Sequence, residues 1–342
     1  MINNSFFSTE ILRWFRENGR DLPWRETKDP YAIWLSEIIL QQTRIVQGWE
    51  YWERFMQTYP KVEDLAAASE DDVLKLWQGL GYYSRARNLH TAAKQIVALG
   101  DFPNTLEGIK SLKGVGDYTA AAIGSFAFDI PAAVVDGNVY RVLSRYFGID
   151  TPINSTQGKK EFAALAQSLL PASDAASYNQ GMMDFGAIQC TPQSPKCLLC
   201  PLAETCEALR SGRVEELPVK NKTVKVKTRH LSYIYIRCKS SVADGAGNSE
   251  PMVAIHRRGE GDIWQGLWEP YNVSDVKELP SFVKNPILLA KDVKHVLTHR
   301  ILLADFYLLE TETCPQLPDD YIWIKENEIE DYGVPRLIEI ML

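Results

Sequence analysis

The chain has 342 residues, which exceeds the usual range of a single domain and predicts two domains that each bury a core. Its 45% hydrophobic content argues against disorder, and it has neither a long apolar span nor a secretion signal, so we expect a cytoplasmic protein without a membrane segment. The net charge of -7 weighs against a nucleic-acid partner if taken alone. Acidic residues cluster at 64–72 and 319–331, however, which leaves room for a basic face elsewhere.

The pattern along the chain divides it into a helical part and a part rich in strands. Long runs with helical apolar period, separated by short breakers, predict a mainly α domain over residues 1–217. Residues 218–229 are rich in lysine and indicate an exposed basic linker. Residues 230–342 are expected to form a smaller α+β domain. Its clearest strand patterns are at 231–238, 252–257 and 302–309.

The first candidate functional residue lies in a helix that is apolar on nearly every side. Asp29 as an N-cap, followed by proline, predicts a helix over residues 30–40 that is buried. Burial favours the protonated form of a carboxyl group, so Glu37 in this helix can act as a general acid. It could equally satisfy a buried amide or arginine. Gln41 lies one turn further on and shares its face, and Gln42 follows near the helix end.

Two glycines one residue apart separate a helix that ends near Ser111 from another that begins at Asp117. They permit a tight turn with positive φ, and their bare backbones let a phosphate approach the amides at the helix start. The pattern is typical of a helix-hairpin-helix, although a plain connection between helices would look the same. The residues predicted to bind a DNA phosphate are Lys113, Gly114, Val115 and Gly116.

A second carboxylate, Asp136, precedes an apolar-periodic segment and is expected to cap its helix. The helix dipole favours the ionised form of a carboxyl at that position. One carboxyl kept neutral and another kept anionic is the division of roles known from glycoside hydrolysis. Cleavage of the N-glycosidic bond of a purine nucleotide needs the same pair. Asp136 could also be a helix cap and nothing more.

Four of the six cysteines lie within seventeen residues, with the spacing C-x6-C-x2-C-x5-C. Four thiolates on so short a loop converge on one centre, and soft sulfur ligands select zinc or an iron–sulfur cluster. The spacing alone leaves both open. The four predicted ligands are Cys190, Cys197, Cys200 and Cys206. Cys238 and Cys314 stand outside this group and are expected to be structural.

Together these motifs resemble, in order and spacing, the MutY-type adenine glycosylases of the helix-hairpin-helix and Gly-Pro-Asp superfamily. The matching segments are Trp24-Arg25, residues 34–43, residues 78–89, the hairpin, residues 135–145 and the cysteine loop. The resemblance implies a [4Fe–4S] cluster on the four cysteines. It also implies that Glu37 protonates the adenine ring at N7 while Asp136 stabilises the sugar cation.

The resemblance also implies roles for residues around these two carboxylates. They are Asn138 and Tyr118 beside the sugar, Trp24, Arg25 and Gln180 in the adenine pocket, and Gln42 and Tyr82 as wedges where the bases separate. Gln41 is expected among the substrate-binding residues. Lys113 occupies the position where proline usually stands in the family's hairpin.

Tyr118 separates two subfamilies. Endonuclease III-like enzymes carry a lysine at this position, and its amine attacks the sugar and then cleaves the strand. A tyrosine cannot form that Schiff base, so simple hydrolysis is expected.

In the C-terminal part, Arg257-Arg258 followed by residues 264–270 resembles the MutT-like, Nudix-fold domain of the same family. No glutamate-rich metal-binding helix follows these residues. Pyrophosphate hydrolysis is therefore not expected. Residues 296–299 correspond to the family's loop that reads 8-oxoguanine, with Thr298 and His299 as the predicted contacts. Leu297 replaces the aromatic residue of that loop.

The sequence thus predicts a monomeric, monofunctional glycosylase of base excision repair that acts on double-stranded DNA containing adenine opposite 8-oxoguanine or guanine. In a bacterium it would associate with the nucleoid. Two rivals stay open: an oxidised-pyrimidine glycosylase with lyase activity, and a DNA-binding module without catalysis.

Overall fold

The computed structural model describes residues 4–221, 226–239, 250–273, 282–339 and 341. Its contacts divide the chain into two compact units, residues 1–66 with 91–222 and residues 67–90 with 223–342. The predicted domain boundaries at 217 and 230 stay a prediction. Residues 222–225 of the predicted basic linker lie outside the described residues.

The first part of the chain is helical, as predicted. Its α-helices are α1 (Asn4–Asn18), α2 (Pro30–Ile39), α3 (Ile45–Thr58), α4 (Val62–Ala67), α5 (Glu70–Leu76), α6 (Ser84–Leu99), α7 (Leu106–Ser111), α8 (Asp117–Phe128), α9 (Gly137–Phe147), α10 (Thr156–Leu169), α11 (Ala175–Asp184) and α12 (Glu207–Arg210). A short 3-10 helix, Pro23–Arg25, precedes α2, and a π-helical turn, Phe185–Gln189, follows α11. No helix in the described ranges is long and apolar enough to cross a bilayer.

Helix α2 lies in the interior, because every residue after its first proline is buried. The Asp29 side chain accepts a hydrogen bond from the Tyr31 amide at 3.0 Å, so the predicted N-cap is confirmed. The helix packs against α8 and α3. Full burial of each large apolar side chain contributes about 1.5–3 kcal/mol, which outweighs the cost of carrying one carboxyl inward.

A second core in this unit fixes the position of Asp136. Large side chains from α1, α9, α10 and α11 form this core, among them Phe7, Ile11, Leu143, Phe162 and Met182. Asp136 precedes α9, and its side chain accepts a hydrogen bond from the Val139 amide at 2.7 Å. The predicted cap is therefore present, and packing of α9 fixes where the carboxylate lies.

The hairpin connects α7 and α8 at the residues that the sequence indicated. Gly114 has the left-handed conformation, with a φ of 80°. Gly116 is extended instead, with a φ of -97° and a ψ of -178°, so only one glycine needs positive φ. The turn is closed by a hydrogen bond from the Val115 amide to the Leu112 carbonyl at 3.1 Å.

The second unit contains a mixed sheet, which confirms the predicted α+β character. Its strands are β1 (Lys227–Cys238), β2 (Met252–Arg257), β3 (Trp268–Glu269), β4 (Tyr271–Val273), β5 (Ile287–Val296), β6 (Arg300–Thr311) and β7 (Tyr321–Lys325). The order is β3-β2-β1-β6-β5, with β4 paired to β1 and β7 paired to β2. Strands β1 and β6 are parallel, and Tyr233 stacks on Phe306 between them with ring centroids 5.7 Å apart. A short helix, α13 (Arg336–Glu339), lies near the end of the chain.

Candidate active site

A cavity of about 590 Å³ opens in the first unit, a volume typical of sites for small ligands or a single nucleotide. Nine of the predicted site residues line it. They are Trp24, Arg25, Glu37, Gln41, Gln42, Tyr118, Asp136, Asn138 and Gln180. These residues come from five separate segments of the sequence, so the fold assembles a site that no single motif contains.

Glu37 is a buried carboxyl in the wall of this cavity. Its side chain lies on α2 and is only 7% exposed. Burial raises the pKa of Glu37 from 4.5 to about 7, while the hydroxyl of Tyr118, which donates to Oε2 at 3.1 Å, acts in the opposite direction. The nearby charge of Asp136 raises this pKa further, and Arg25 lowers it. The carboxyl group can therefore hold a proton near neutral pH and still release it.

Asp136 lies in a more polar environment in the same cavity. Its two oxygens accept hydrogen bonds from the Val139 amide and from Asn138 Nδ2, both at 2.7 Å. The sequence predicts that the helix start keeps this carboxyl ionised, and that prediction left out the effect of burial. Burial raises the pKa of Asp136, and the hydrogen bonds from Val139 and Asn138, together with the Arg141 charge, oppose that rise.

Arg141 was not singled out from the sequence, yet it holds Asn138 in place. One of its terminal nitrogens donates to Asn138 Oδ1 at 2.7 Å and to the Gly186 carbonyl at 2.6 Å. Its Nε donates to the Cys190 carbonyl at 2.8 Å. Arg141 lies three residues after Asn138 on α9, so helical spacing from Asn138 could have drawn attention to it.

Asp184 was also missed, and it organises the arginine side of the cavity. The carboxylate is fully buried and accepts hydrogen bonds from Arg25 at 2.8 Å, while Arg20 pairs with it as well. Burial alone would raise the pKa of Asp184, but the two guanidinium groups hold it below its ordinary value. Its place one turn after Gln180 on an apolar helix was the available signal.

Trp24 and the two glutamines complete the cavity wall. Trp24 is 6% exposed and packs edge-on against Trp49 and Trp52. Helix α2 ends at Ile39, so Gln41 lies in the turn after it and donates from Nε2 to Thr119 Oγ1 at 3.2 Å. Gln42 has a φ of 59°, a left-handed conformation that costs a non-glycine residue energy and is common at ligand sites.

The hairpin is outside the cavity, and two of its four predicted amides already have partners. The Lys113 amide donates to Gln95 Oε1 at 2.8 Å, and the Val115 amide closes the turn. A Cβ on Gly116 would meet nothing within 4 Å, so the space in front of this glycine is open. The amides of Gly114 and Gly116 are therefore the better candidates for a phosphate.

The four clustered cysteines line one small cavity, together with Arg145. None is in a disulfide, and an Arg145 nitrogen lies 3.4 Å from the Cys190 sulfur. In the described ranges, no group of three or more His, Cys, Asp or Glu side chains is arranged to hold one metal ion. The four cysteines nevertheless line the same cavity, as ligands of one shared cluster must. Soft thiol donors and a nearby cation both fit such a cluster.

The remaining predicted residues lie in the second unit. Thr298 and His299 form the turn between β5 and β6, and the Thr298 hydroxyl is hydrogen-bonded to the hydroxyl of Tyr82. The His299 carbonyl accepts from the Lys227 amide at 3.2 Å. Tyr82 is 47% exposed and has a φ of 48°. The predicted wedge and the predicted lesion contact are therefore neighbours.

Comparison with known proteins decides the family. An adenine DNA glycosylase of Buchnera aphidicola from Schizaphis graminum is 31% identical over 98% of this chain and 97% of its own length. Another, from Buchnera aphidicola of Baizongia pistaciae, is 38% identical over 96% and 93%. The chain belongs to the adenine DNA glycosylase family. Mouse adenine DNA glycosylase is 42% identical over 62% of this chain, which is 44% of the mouse protein.

Family models assign the parts of this adenine DNA glycosylase family member. Residues 35–171 match the HhH-GPD superfamily of base excision DNA repair proteins, and residues 246–342 match a NUDIX domain. Residues 190–206 match the iron-sulfur binding domain of endonuclease III, which confirms an iron–sulfur cluster over zinc. The predicted fold class is confirmed with them.

Solved structures agree with this architecture. A thermostable thymine-DNA glycosylase has a TM-score of 0.57 and 34% identity, covering 61% of this chain and 97% of its own. A non-covalent complex of endonuclease III with DNA has a TM-score of 0.54 and 22% identity, covering 62% and 99%, and shows the fold.

Proposed function

We propose that this protein is a monofunctional adenine DNA glycosylase, which hydrolyses the N-glycosidic bond of adenine paired with 8-oxoguanine or guanine. The observation that carries the proposal is the pair of carboxyls in one cavity. Burial raises the pKa of Glu37 to about 7, and Asp136 is held by two hydrogen-bond donors in the same cavity. Adenine is proposed as the released base because the named relatives are adenine DNA glycosylases.

The first step is extrusion of the adenine from the duplex into the cavity. Flipping costs a few kcal/mol and costs least for a mispaired base. Trp24 offers an apolar ring surface in the cavity wall, while Arg25 and Gln180 offer polar groups to the base edge. Asp184 keeps the Arg25 guanidinium in one orientation through its paired hydrogen bonds.

Bond cleavage then uses the two carboxyls in different roles. Glu37 donates its proton to the adenine ring, which makes the base a better leaving group. Asp136 stabilises the positive charge that develops on the sugar, and Asn138 and Tyr118 lie beside it. Because the residue at the start of α8 is a tyrosine and not a lysine, no Schiff base forms and water completes the hydrolysis.

Recognition of the rest of the duplex is assigned to three further places. Hairpin amides at Gly114 and Gly116 approach a backbone phosphate, assisted by the start of α8. Gln42 and Tyr82 enter the stack where the bases separate. Thr298 and His299 contact the base opposite the adenine. The four cysteines would hold a [4Fe–4S] cluster, which would fix the loop that contains them.

We further propose that the protein works as a monomer on chromosomal DNA, with the glycosylase domain at residues 1–217 and the lesion-reading domain at 230–342. The monomer is proposed because one cavity contains both carboxyls, so the chemistry needs no second copy. In a bacterial cell the site of action would be the nucleoid.

The test is single-turnover cleavage of labelled duplexes with adenine opposite 8-oxoguanine, adenine opposite guanine, and thymine opposite guanine. The expected result is strand breakage after alkali for both adenine substrates and none without alkali. The thymine duplex tests the specificity named for the structural relative. Breakage without alkali, or a borohydride-trapped adduct, would support the lyase rival. Binding of every duplex with no base release would support a module without catalysis.

A further inference from the structure

Two cysteines outside the cluster loop lie at the same end of the sheet in the second unit. Cys238 is the last residue of β1, and its Cα partner on the parallel strand β6 is Thr311. Cys314 follows only three residues after Thr311 along the chain. The register of β1 and β6 therefore brings both thiols together, although 75 positions separate them in sequence.

The two thiols are in contact and differ in accessibility. Their side chains are hydrogen-bonded to each other, and neither is in a disulfide. Cys238 is fully buried, whereas Cys314 is exposed. An oxidant from solution can therefore reach Cys314 first, and Cys238 is already placed to react with whatever forms there.

We propose that Cys238 and Cys314 form an intramolecular disulfide when the protein meets a low-molecular-weight disulfide such as oxidised glutathione. The Cys314 thiolate attacks one sulfur of glutathione disulfide, whose S–S bond breaks and releases one glutathione. The Cys238 thiolate then attacks the Cys314 sulfur and releases the second glutathione. The protein thiols lose two electrons, which reduce the glutathione disulfide, and their two protons end on the two glutathione thiols.

The disulfide would tie the end of β1 to the segment after β6. The Lys239 amide donates to the Thr311 carbonyl at 2.9 Å and closes the parallel pair just beyond the end of β1. A crosslink beside it restrains the unfolded chain and limits local opening at this end. The adenine chemistry uses neither thiol, so this inference does not depend on the proposed function.

Partial burial of its sulfur and the adjacent Cys238 thiol raise the pKa of Cys314 to about 12. The thiolate is the attacking species, so crosslinking should be slow at neutral pH. Its rate should rise ~10-fold for each unit between pH 7 and pH 9, because the thiolate fraction rises in that proportion.

The experiment treats the cluster-loaded protein with oxidised glutathione without oxygen at several pH values. Cluster absorbance is followed, remaining thiols are alkylated, and peptides are identified by mass spectrometry. The expected product is a linked pair of peptides containing Cys238 and Cys314, with the cluster intact. Hydrogen exchange of the Lys239 amide should slow by about 10-fold in that product. A rate that stops rising near pH 8.5 would contradict the contact between the thiols.

The variant Cys314→Ser is the matched control, because this residue is exposed and its loss should leave the fold intact. In that variant the buried Cys238 should gain neither glutathione nor a crosslink, and exchange at Lys239 should not respond to oxidant. The inference is overturned if the wild-type protein keeps a stable glutathione on Cys314 while Cys238 stays unmodified. A crosslink from either residue to a cluster cysteine would overturn it too.

Discussion

Glu37 and Asp136 line the same cavity but lie in different local environments. Glu37 lies inside α2, near its C-terminal end, and its carboxyl accepts a hydrogen bond from the Tyr118 hydroxyl. Asp136 lies at the start of α9, where it accepts from a backbone amide and a side-chain amide and is close to the Arg141 charge. Burial raises the pKa of both groups.

Because burial raises the pKa of both carboxyls, burial alone does not indicate which of them acts as the acid and which as the anion. Hydrogen bonds to a carboxylate favour its charged form, and Asp136 receives more of them than Glu37. A helix interior has no unpaired amides to offer Glu37, whereas a helix start does offer them to Asp136. The position of each carboxyl on its helix is therefore the physical basis for the roles that we propose, Glu37 as the acid and Asp136 as the stabilising anion.

The largest expected effect comes from removing the acid. The variant Glu37→Gln keeps the shape and the ability to accept from Tyr118, but it has no proton to donate to the base. Adenine release should fall by ~10²–10⁴-fold, the usual contribution of general acid catalysis, while duplex binding stays close to that of the wild type. Single-turnover base release and a binding titration would measure the two separately. An unchanged rate would refute the role of Glu37.

Removing the anion should have the next largest effect. Asparagine is also a good N-cap, so Asp136→Asn should keep α9 in place while losing the negative charge. We expect turnover to fall on the order of 10²–10³-fold, as when one electrostatic stabiliser is removed.

Thermal unfolding of Asp136→Asn, measured in parallel, provides the control. Wild-type turnover with a lowered melting temperature would leave Asp136 as a cap alone. Lost turnover with unchanged melting would assign it to the chemistry.

The buried carboxyl of Glu37 should also lower the free energy of unfolding as the pH rises. The pKa of Glu37 is about 7 in the folded protein against 4.5 as the ordinary value, so the folded state holds its proton more tightly. Above pH 4.5 the unfolded chain loses this proton while the folded protein keeps it. The free energy of unfolding therefore falls as the pH rises, until about pH 7. The full decrease is about 3 kcal/mol.

Glu37→Gln removes the titrating group, so its stability relative to the wild type should rise between pH 4.5 and pH 8. Urea unfolding at both values measures this change. An equal difference at the two pH values would mean that Glu37 ionises normally.

Much of this site could be predicted because its local signals are strong. The Asp29 cap, the proline after it and the apolar run located α2 and the burial of Glu37. The two glycines located the hairpin between α7 and α8 to the residue. Each depends on contacts within one helix or one turn, which a single stretch of sequence contains.

The parts that escaped prediction depend on packing between distant segments. Asp184 is distant in sequence from Arg20 and Arg25, and nothing local shows that two arginines meet it. The sequence predicts that Gln41 shares a helical face with Glu37, but α2 ends before Gln41. A hydrogen bond to Thr119 on α8 positions Gln41 instead. In the second unit, the hydroxyl contact between Tyr82 and Thr298 likewise joins residues that are distant in sequence.

The smallest expected effect is a shift in the pH profile, and it tests which of the two carboxyls is the acid. The Tyr118 hydroxyl donates to Glu37 and lowers its pKa, so Tyr118→Phe should raise that pKa by roughly one unit. Wild-type base release should decline above about pH 7, where Glu37 loses its proton, and this decline should move upward in the variant. Single-turnover rates from pH 6 to pH 9 should differ by less than about twofold at the acid end. When each rate is divided by the maximum of its own pH profile, the variant should be up to ~10-fold faster than the wild type at the alkaline end. Asp136 accepts its hydrogen bonds from Val139 and Asn138, so the acid side of the profile should not move. A shift there instead would reverse the two assignments.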